Sequence, residues 1–293
     1  MKKFKVVFKI MLLSMFLLTS CSDDDDDVSS SGLDSNAGLI LEEDGIKYYL
    51  TSVGNTEYTY DADGNLLTLD EFDVTYSPLL MTYSEEGNNE DETITYSDFS
   101  INSKGYITQF TEKSIESNYK YDVYQTYEIV YKFSYDSNGR LQKMTCKDDT
   151  YTNDEYSFES TTATFSWENG VLTKLSAITV DEEDTEVQTL AVFNYDDYEY
   201  LNITGQYTSS MLDIEWMGPD DFAYLGYLGV GSAYLPEGIE ISDVLYVDGE
   251  PDEEDEWSYT YTYEFNDNGT VDTEKKKSSK HTSTTEYTYT TRW

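Results

Sequence analysis

Apolar and polar residues alternate one for one along much of the chain after residue 39. Trp257, Tyr259, Tyr261, Tyr263 and Phe265 fall on one face of such a run, with Ser258, Thr260, Thr262 and Glu264 on the other. Tyr287, Tyr289, Thr291 and Trp293 repeat the alternation at the C-terminus. A period of two built from Tyr and Thr predicts antiparallel strands with one wetter face. Between the runs a turn recurs. Tyr60-Asp61-Ala62-Asp63-Gly64-Asn65-Leu66 returns as Tyr135-Asp136-Ser137-Asn138-Gly139-Arg140-Leu141. Looser copies centre on Gly105, Gly170 and Gly269, and a degenerate one runs from Tyr195 to Leu201. In each, an Asp or Asn such as Asp61 or Asp136 bonds its own backbone. The glycine supplies the left-handed conformation of a type I turn plus bulge.

The predicted fold class is therefore all-β. An antiparallel meander of repeated hairpins forms a twisted open or barrel-like sheet, a single domain over 39–293. One segment breaks the alternation. Gly218-Pro219-Asp220-Asp221-Phe222 carries a capping aspartate, and apolar residues follow at 222, 225 and 228. It reads as a short helix near 219–228 that covers an open end or face of the sheet.

The N-terminus supplies an address. Lys2, Lys3, Lys5 and Lys9 precede a short apolar core from Ile10 to Leu18. That core is shorter than the roughly 20 apolar residues a membrane-spanning helix needs, so 1–20 reads as a signal peptide. Leu18-Thr19-Ser20-Cys21 has the form of a lipobox, with cleavage between Ser20 and Cys21 and acylation of Cys21. Two or three acyl chains would make a stable anchor. Ser22 and the run Asp23, Asp24, Asp25, Asp26 and Asp27 resemble the surface-export signal of Bacteroidota lipoproteins. The implied location is the outer membrane, lipid-anchored and facing the cell exterior. Residues 21–38 then form an acidic, Ser-rich tether.

The net charge of −41 repels nucleic acid and anionic lipid heads, which excludes a nucleic-acid partner. Once Cys21 is acylated, Cys146 is the one remaining thiol, so no disulfide framework forms within the chain. Cys146 lies in a strand-like stretch and reads as a packing residue.

The Tyr-Asp-x-x-Gly-x-Leu turns at 60–66 and 135–141 are joined by two further features. One is Leu225-Gly226-Tyr227-Leu228-Gly229-Val230-Gly231-Ser232-Ala233-Tyr234-Leu235-Pro236; the other is the aromatic ending from Tyr287 to Trp293. Together they resemble the Bacteroidota surface lipoproteins that carry a porin-like domain of unknown function with YD-type repeats. The resemblance covers 39–293 and implies fold and location; it carries no activity.

Little of the chain points to catalysis. Asp61-Ala62-Asp63-Gly64 begins like a calcium loop, but position 12, where a bidentate Glu is required, is Phe72. The acidic runs Asp181 to Asp184 and Asp252 to Glu256 read as solvated loops. One histidine, His281, and one free cysteine cannot build a zinc site. No metal, cofactor or catalytic set is expected, which points away from an enzyme. The 29 tyrosines are the better lead, because aromatic faces stack on sugars and a hydroxyl adds a polar handle. Trp257, Tyr259, Tyr261 and Tyr263 are the candidate stacking strip, for a glycan or protein ligand. A carboxylate-dependent hydrolase acting on polysaccharide is the alternative. A spanning barrel is disfavoured by the Thr- and Glu-rich strand faces, which lack a lipid-facing apolar band.

Overall fold

The computed structural model describes residues 38–292, apart from 44, 77–78, 88–89, 120, 154, 196–197 and 213–219. Residues 1–37 lie outside it, so the signal peptide, Ser20, Cys21, Ser22, Asp23 to Asp27 and most of the tether have no structural account here.

The alternating runs become strands. In chain order they are β1 (Leu39–Glu43), β2 (Ile46–Val53), β3 (Thr56–Tyr60), β4 (Leu66–Leu69), β5 (Phe72–Tyr76) and β6 (Leu79–Glu86). Long strands follow: β7 (Glu90–Ile101), β8 (Ile107–Asn118), β9 (Val123–Tyr135), β10 (Leu141–Thr152), β11 (Glu155–Glu168) and β12 (Val171–Asp181). The series ends with β13 (Glu186–Asn194), β14 (Gly238–Val247), β15 (Glu250–Phe265), β16 (Val271–Lys277) and β17 (Thr282–Arg292). Each strand pairs antiparallel with the next from β2 onward. β17 then pairs back onto β2, with Tyr287 opposite Val53 and Thr291 opposite Tyr48. The result is a closed barrel of 16 strands, with β1 as an extra strand along β2.

The recurrent turns gather at one end. Asp61 Oδ1 accepts the backbone N–H of Asp63 at 2.8 Å and of Asn65 at 3.0 Å. Asp136 repeats this with Asn138 and Arg140 at 2.8 and 2.9 Å, and Asn102 with Lys104 and Tyr106 at 2.9 and 3.1 Å. The glycines take left-handed φ values of 92° at Gly64, 84° at Gly105, 84° at Gly139 and 81° at Gly269. The copy at Gly170 differs. Asn169 and Gly170 both have positive φ (49° and 91°), and Glu168 pairs directly with Val171, so this is a two-residue type I′ hairpin.

Just past each turn one apolar side chain points inward. Leu66, Ile107, Leu141 and Leu172 are fully buried, and Val271 nearly so. Aromatic residues tie this collar together. Each donates from its ring to a backbone carbonyl on the adjacent strand: Tyr60 to Leu50 at 2.7 Å, Tyr76 to Leu66 at 2.9 Å and Tyr135 to Ile107 at 2.5 Å. Trp167 reaches Leu141 at 2.8 Å, Tyr195 reaches Leu172 at 2.8 Å and Tyr289 reaches Val271 at 2.7 Å. Each such bond is worth about 1 kcal/mol net, but each also fixes a ring against its neighbour.

The degenerate repeat at Tyr195 does not close as a hairpin. After Tyr195 the chain leaves the wall, and the described residues of the connection to β14 enter the collar as a plug. It contains α1 (Ser209–Leu212) and α2 (Asp220–Tyr224), the latter beginning the predicted helical segment; Gly226 breaks it at φ 80°. Tyr207, Met211, Leu212, Phe222, Ala223, Leu225, Leu228 and Leu235 are all buried there. Phe222 is the deepest anchor. Its ring lies 5.0 Å from Phe110, 5.7 Å from Tyr96 and 5.8 Å from Phe99, all in edge-on geometry against β7 and β8. Backbone bonds stitch the plug to the turns. Ile107 N–H donates to Tyr227, Val230 to Gly139 and Ala233 to Gly170, each at 2.9 Å. The alanines at 163, 177 and 191, buried on adjacent strands, leave the room it needs.

Truncating Phe222→Ala should lower unfolding stability by about 3–5 kcal/mol, read from the denaturant midpoint. A neutral result would show that the plug is not part of the core.

Candidate functional site

The two faces of the wall differ in kind. Outward positions are polar and often charged. Lys113 pairs with Glu128 at 2.8 Å, Lys147 with Asp149 at 2.6 Å, and Lys275 with Glu264. Hydroxyl pairs such as Thr59–Thr68 at 2.7 Å and Ser84–Thr93 at 3.2 Å fill the spaces between them. Ions in these positions are stable against water and costly against lipid chains.

Inward positions change along the strands. Beside the plug they are aromatic or aliphatic. Farther from the turns they become polar and half-exposed, as at Tyr127, Asp148, Thr179 and Thr189. Register places Glu112 (β8), Ile129 (β9), Asp148 (β10) and Glu159 (β11) side by side in one row of the inner wall. Burial pushes the Glu112 carboxyl up from 4.5 to about 7; the Tyr131 hydroxyl, donating at 3.3 Å, opposes the shift and Asp148 adds to it. Asp148 and Glu159 are raised too, by burial first and then by neighbouring carboxylates. Among the described residues no cluster of His, Cys, Asp and Glu has the arrangement of a metal site. Cys146 sits in the adjoining row, opposite Tyr131 and Thr161, and burial pushes its thiol up, which makes it a poor nucleophile.

The candidate stacking strip is divided by the plug. Tyr261 and Tyr263 are buried, and the Tyr263 hydroxyl donates to Pro236 O at 2.7 Å and Ser210 Oγ at 2.8 Å within the plug. Tyr259 is half-buried and carries the Lys276 ammonium 3.7 Å above its ring centroid. Trp257, at 37% exposure, is the one member open to solvent. The turn residues Asp61, Gly64, Gly105, Asp136, Gly139, Gly170 and Gly269 sit at the plugged end, shaping hairpins. His281 lies at the opposite, exposed tip between β16 and β17. Sequence reading did not single out Glu112 and Asp148: among 59 acids, only the barrel register sorts inward from outward.

No family model matches the chain, and no curated protein matches it. Solved structures do. A porin-like protein from Bacteroides vulgatus aligns over 82% of this chain and 98% of its own, with a TM-score of 0.55 and 14% identity. A second porin-like protein, from Bacteroides uniformis, is 19% identical and aligns over 72% of this chain and 96% of its own, with a TM-score of 0.33. The first likeness establishes a shared barrel fold.

The Glu112 shift fixes a sign for pH dependence. A carboxyl raised in the folded state costs nothing below the unfolded value and progressively destabilises the fold as pH climbs through the folded one. Glu112→Gln should therefore stabilise the protein at about pH 8, by on the order of 2 kcal/mol, with the gain vanishing near about pH 4.5. Thermal melts of both proteins across that range check it; a gain that grows toward acid would contradict the assignment.

Proposed function

We propose that this chain is a non-enzymatic binding module: a water-exposed barrel, anchored at Cys21 in the outer membrane and facing outward, that engages a glycan or protein ligand. One observation carries the reading. The outer wall bears ion pairs where a lipid-embedded barrel needs an apolar band, and the turn end of the lumen is filled by the plug. A barrel of this kind neither sits in lipid nor conducts through its axis. What remains is its surface, supplied with many tyrosines and held at the membrane by a tether.

A second reading, hydrolysis of polysaccharide by paired carboxylates, is favoured by Glu112, which holds its proton up to about 7 with Asp148 two strands away. The two stand on one continuous wall rather than across a cleft, which ranks this reading below the first.

Acyl labelling of the chain should be abolished by Cys21→Ser. The mature protein should give no conductance in planar bilayers, and should retain ligand on a glycan array or in a pull-down without releasing reducing sugar. Channel activity would overturn the module reading, and sugar release lost in Glu112→Gln would promote the hydrolase.

A further inference from the structure

Large exposed side chains are not scattered evenly over this barrel. Among the described residues, five of the eight exposed aromatics lie on two neighbouring hairpins: Tyr119 at 65%, Tyr121 at 65% and Tyr124 at 52% on β8–β9, with Tyr151 and Tyr156 at 49% each on β10–β11. The two hairpin ends are joined: Asn153 N–H donates to Tyr124 O at 2.9 Å, and Tyr124 N–H donates to Asn153 Oδ1 at 2.9 Å. Tyr151 stands directly opposite Tyr156 and diagonally from Tyr124, all on the outward face. The Tyr151 and Tyr156 rings are 5.1 Å apart, and the Tyr156 ring continues onto Phe158 at 6.3 Å. Tyr119 extends the arc toward β7 by donating its hydroxyl to Asp91. Monomeric proteins rarely gather so many large exposed rings on two adjoining hairpins without a use for them.

The chemistry at the edge of this arc narrows the ligand. Asp149 accepts the Tyr156 hydroxyl at 2.5 Å and the Lys147 ammonium at 2.6 Å. Asp91 accepts the Tyr119 hydroxyl. Flat rings interleaved with carboxylates and hydroxyls match a surface of alternating C–H faces and O–H groups, which is that of a sugar chain. The strands hold successive positions about 4.8 Å apart, a spacing comparable with the length of one monosaccharide. The charge of −41 opposes an anionic chain, and the acids next to the rings add to that. We infer that the outward tyrosine arc at the free tips of β8–β9 and β10–β11 is a binding platform for an uncharged polysaccharide. The inference rests on the binding-module reading and replaces the strip at Trp257–Tyr263 as the place where stacking occurs. Tyrosine suits the task because it offers area and a polar handle while losing little side-chain freedom.

The test uses the mature full-length protein in affinity electrophoresis and calorimetry against soluble mannan and mixed-linkage β-glucan. Phosphatidylcholine vesicles are a parallel arm. Expected is retention by at least one uncharged polysaccharide, with little change between low and high salt, and at least about a tenfold loss of affinity in Tyr124→Ala/Tyr151→Ala/Tyr156→Ala. Tyr156→Phe should keep most of the affinity, because the ring stays. Trp257→Ala should leave binding unchanged. Polysaccharide binding that survives the triple variant, or is lost in Trp257→Ala, would overturn the platform while leaving the module reading standing. Vesicle binding lost in the triple variant would reassign the arc to membrane contact. If no polysaccharide is retained but a protein ligand is captured, the platform fails and the module reading survives; if neither is, both fail.

Discussion

A barrel of 16 strands is wider than its own side chains can fill, and everything else in this molecule answers to that. In an 8-stranded barrel the inward residues meet at the axis. Here the collar of Leu66, Ile107, Leu141, Leu172 and Val271 would face empty space or water without the connection 195–237. Phe222 and its neighbours supply the missing half of the core. Their backbone also takes up donors and acceptors of the turn ring, at Ile107, Gly139 and Gly170. The plug is thus a structural requirement of this wide barrel, and its departure point at Tyr195 keeps the ring-to-carbonyl bond that the other hairpins use.

Buried polar groups on the plug follow the same logic. The Tyr58 hydroxyl donates to Asp221 of α2 at 2.6 Å, and Glu274 of β16 accepts from Ser209 and Ser210 at the start of α1. A carboxylate inside an apolar collar is costly unless it is bonded, and once bonded it admits one seating of the plug and penalises others. Phe222 drives insertion without much direction. Asp221 and Glu274 supply the direction.

The alternation of Tyr with Thr and the Asp-to-Gly turns made the antiparallel hairpins legible from residues alone, and the break at Pro219 marked the helical segment. Closure was not legible. It depends on β17 finding β2 across more than two hundred residues, and no local periodicity encodes that pairing. Nor does a period of two say which end of a strand lies under a plug. Trp257, Tyr259, Tyr261 and Tyr263 look equivalent in sequence, yet Tyr263 is sealed beneath Pro236 while Trp257 meets solvent. The tyrosines from 119 to 124 failed to stand out for the opposite reason. Tyr119 and Tyr121 occupy a hairpin tip outside the alternating strands, and only the register between β9 and β10 sets Tyr124 diagonal to Tyr151.

The two ends of the same hairpins therefore live under different constraints. At the turn end the approaches to the plug are close: a Cβ on Gly139, at φ 84°, would lie 2.8 Å from the Tyr106 ring, and one on Gly229 would run into the Gly139 carbonyl. At the free end the first half of β15, from Glu250 to Glu256, is exposed along its whole length. Strands β8 to β10 differ from it, being paired on both sides nearly to their tips, at Asn118, Val123 and Thr152, so the side chains exposed there contribute little to folding. Residues there are free to be chosen for contact with something outside the chain. That so many large rings persist on β8–β9 and β10–β11, where stability does not require them, is the physical reason to place function at the tips rather than at the plug.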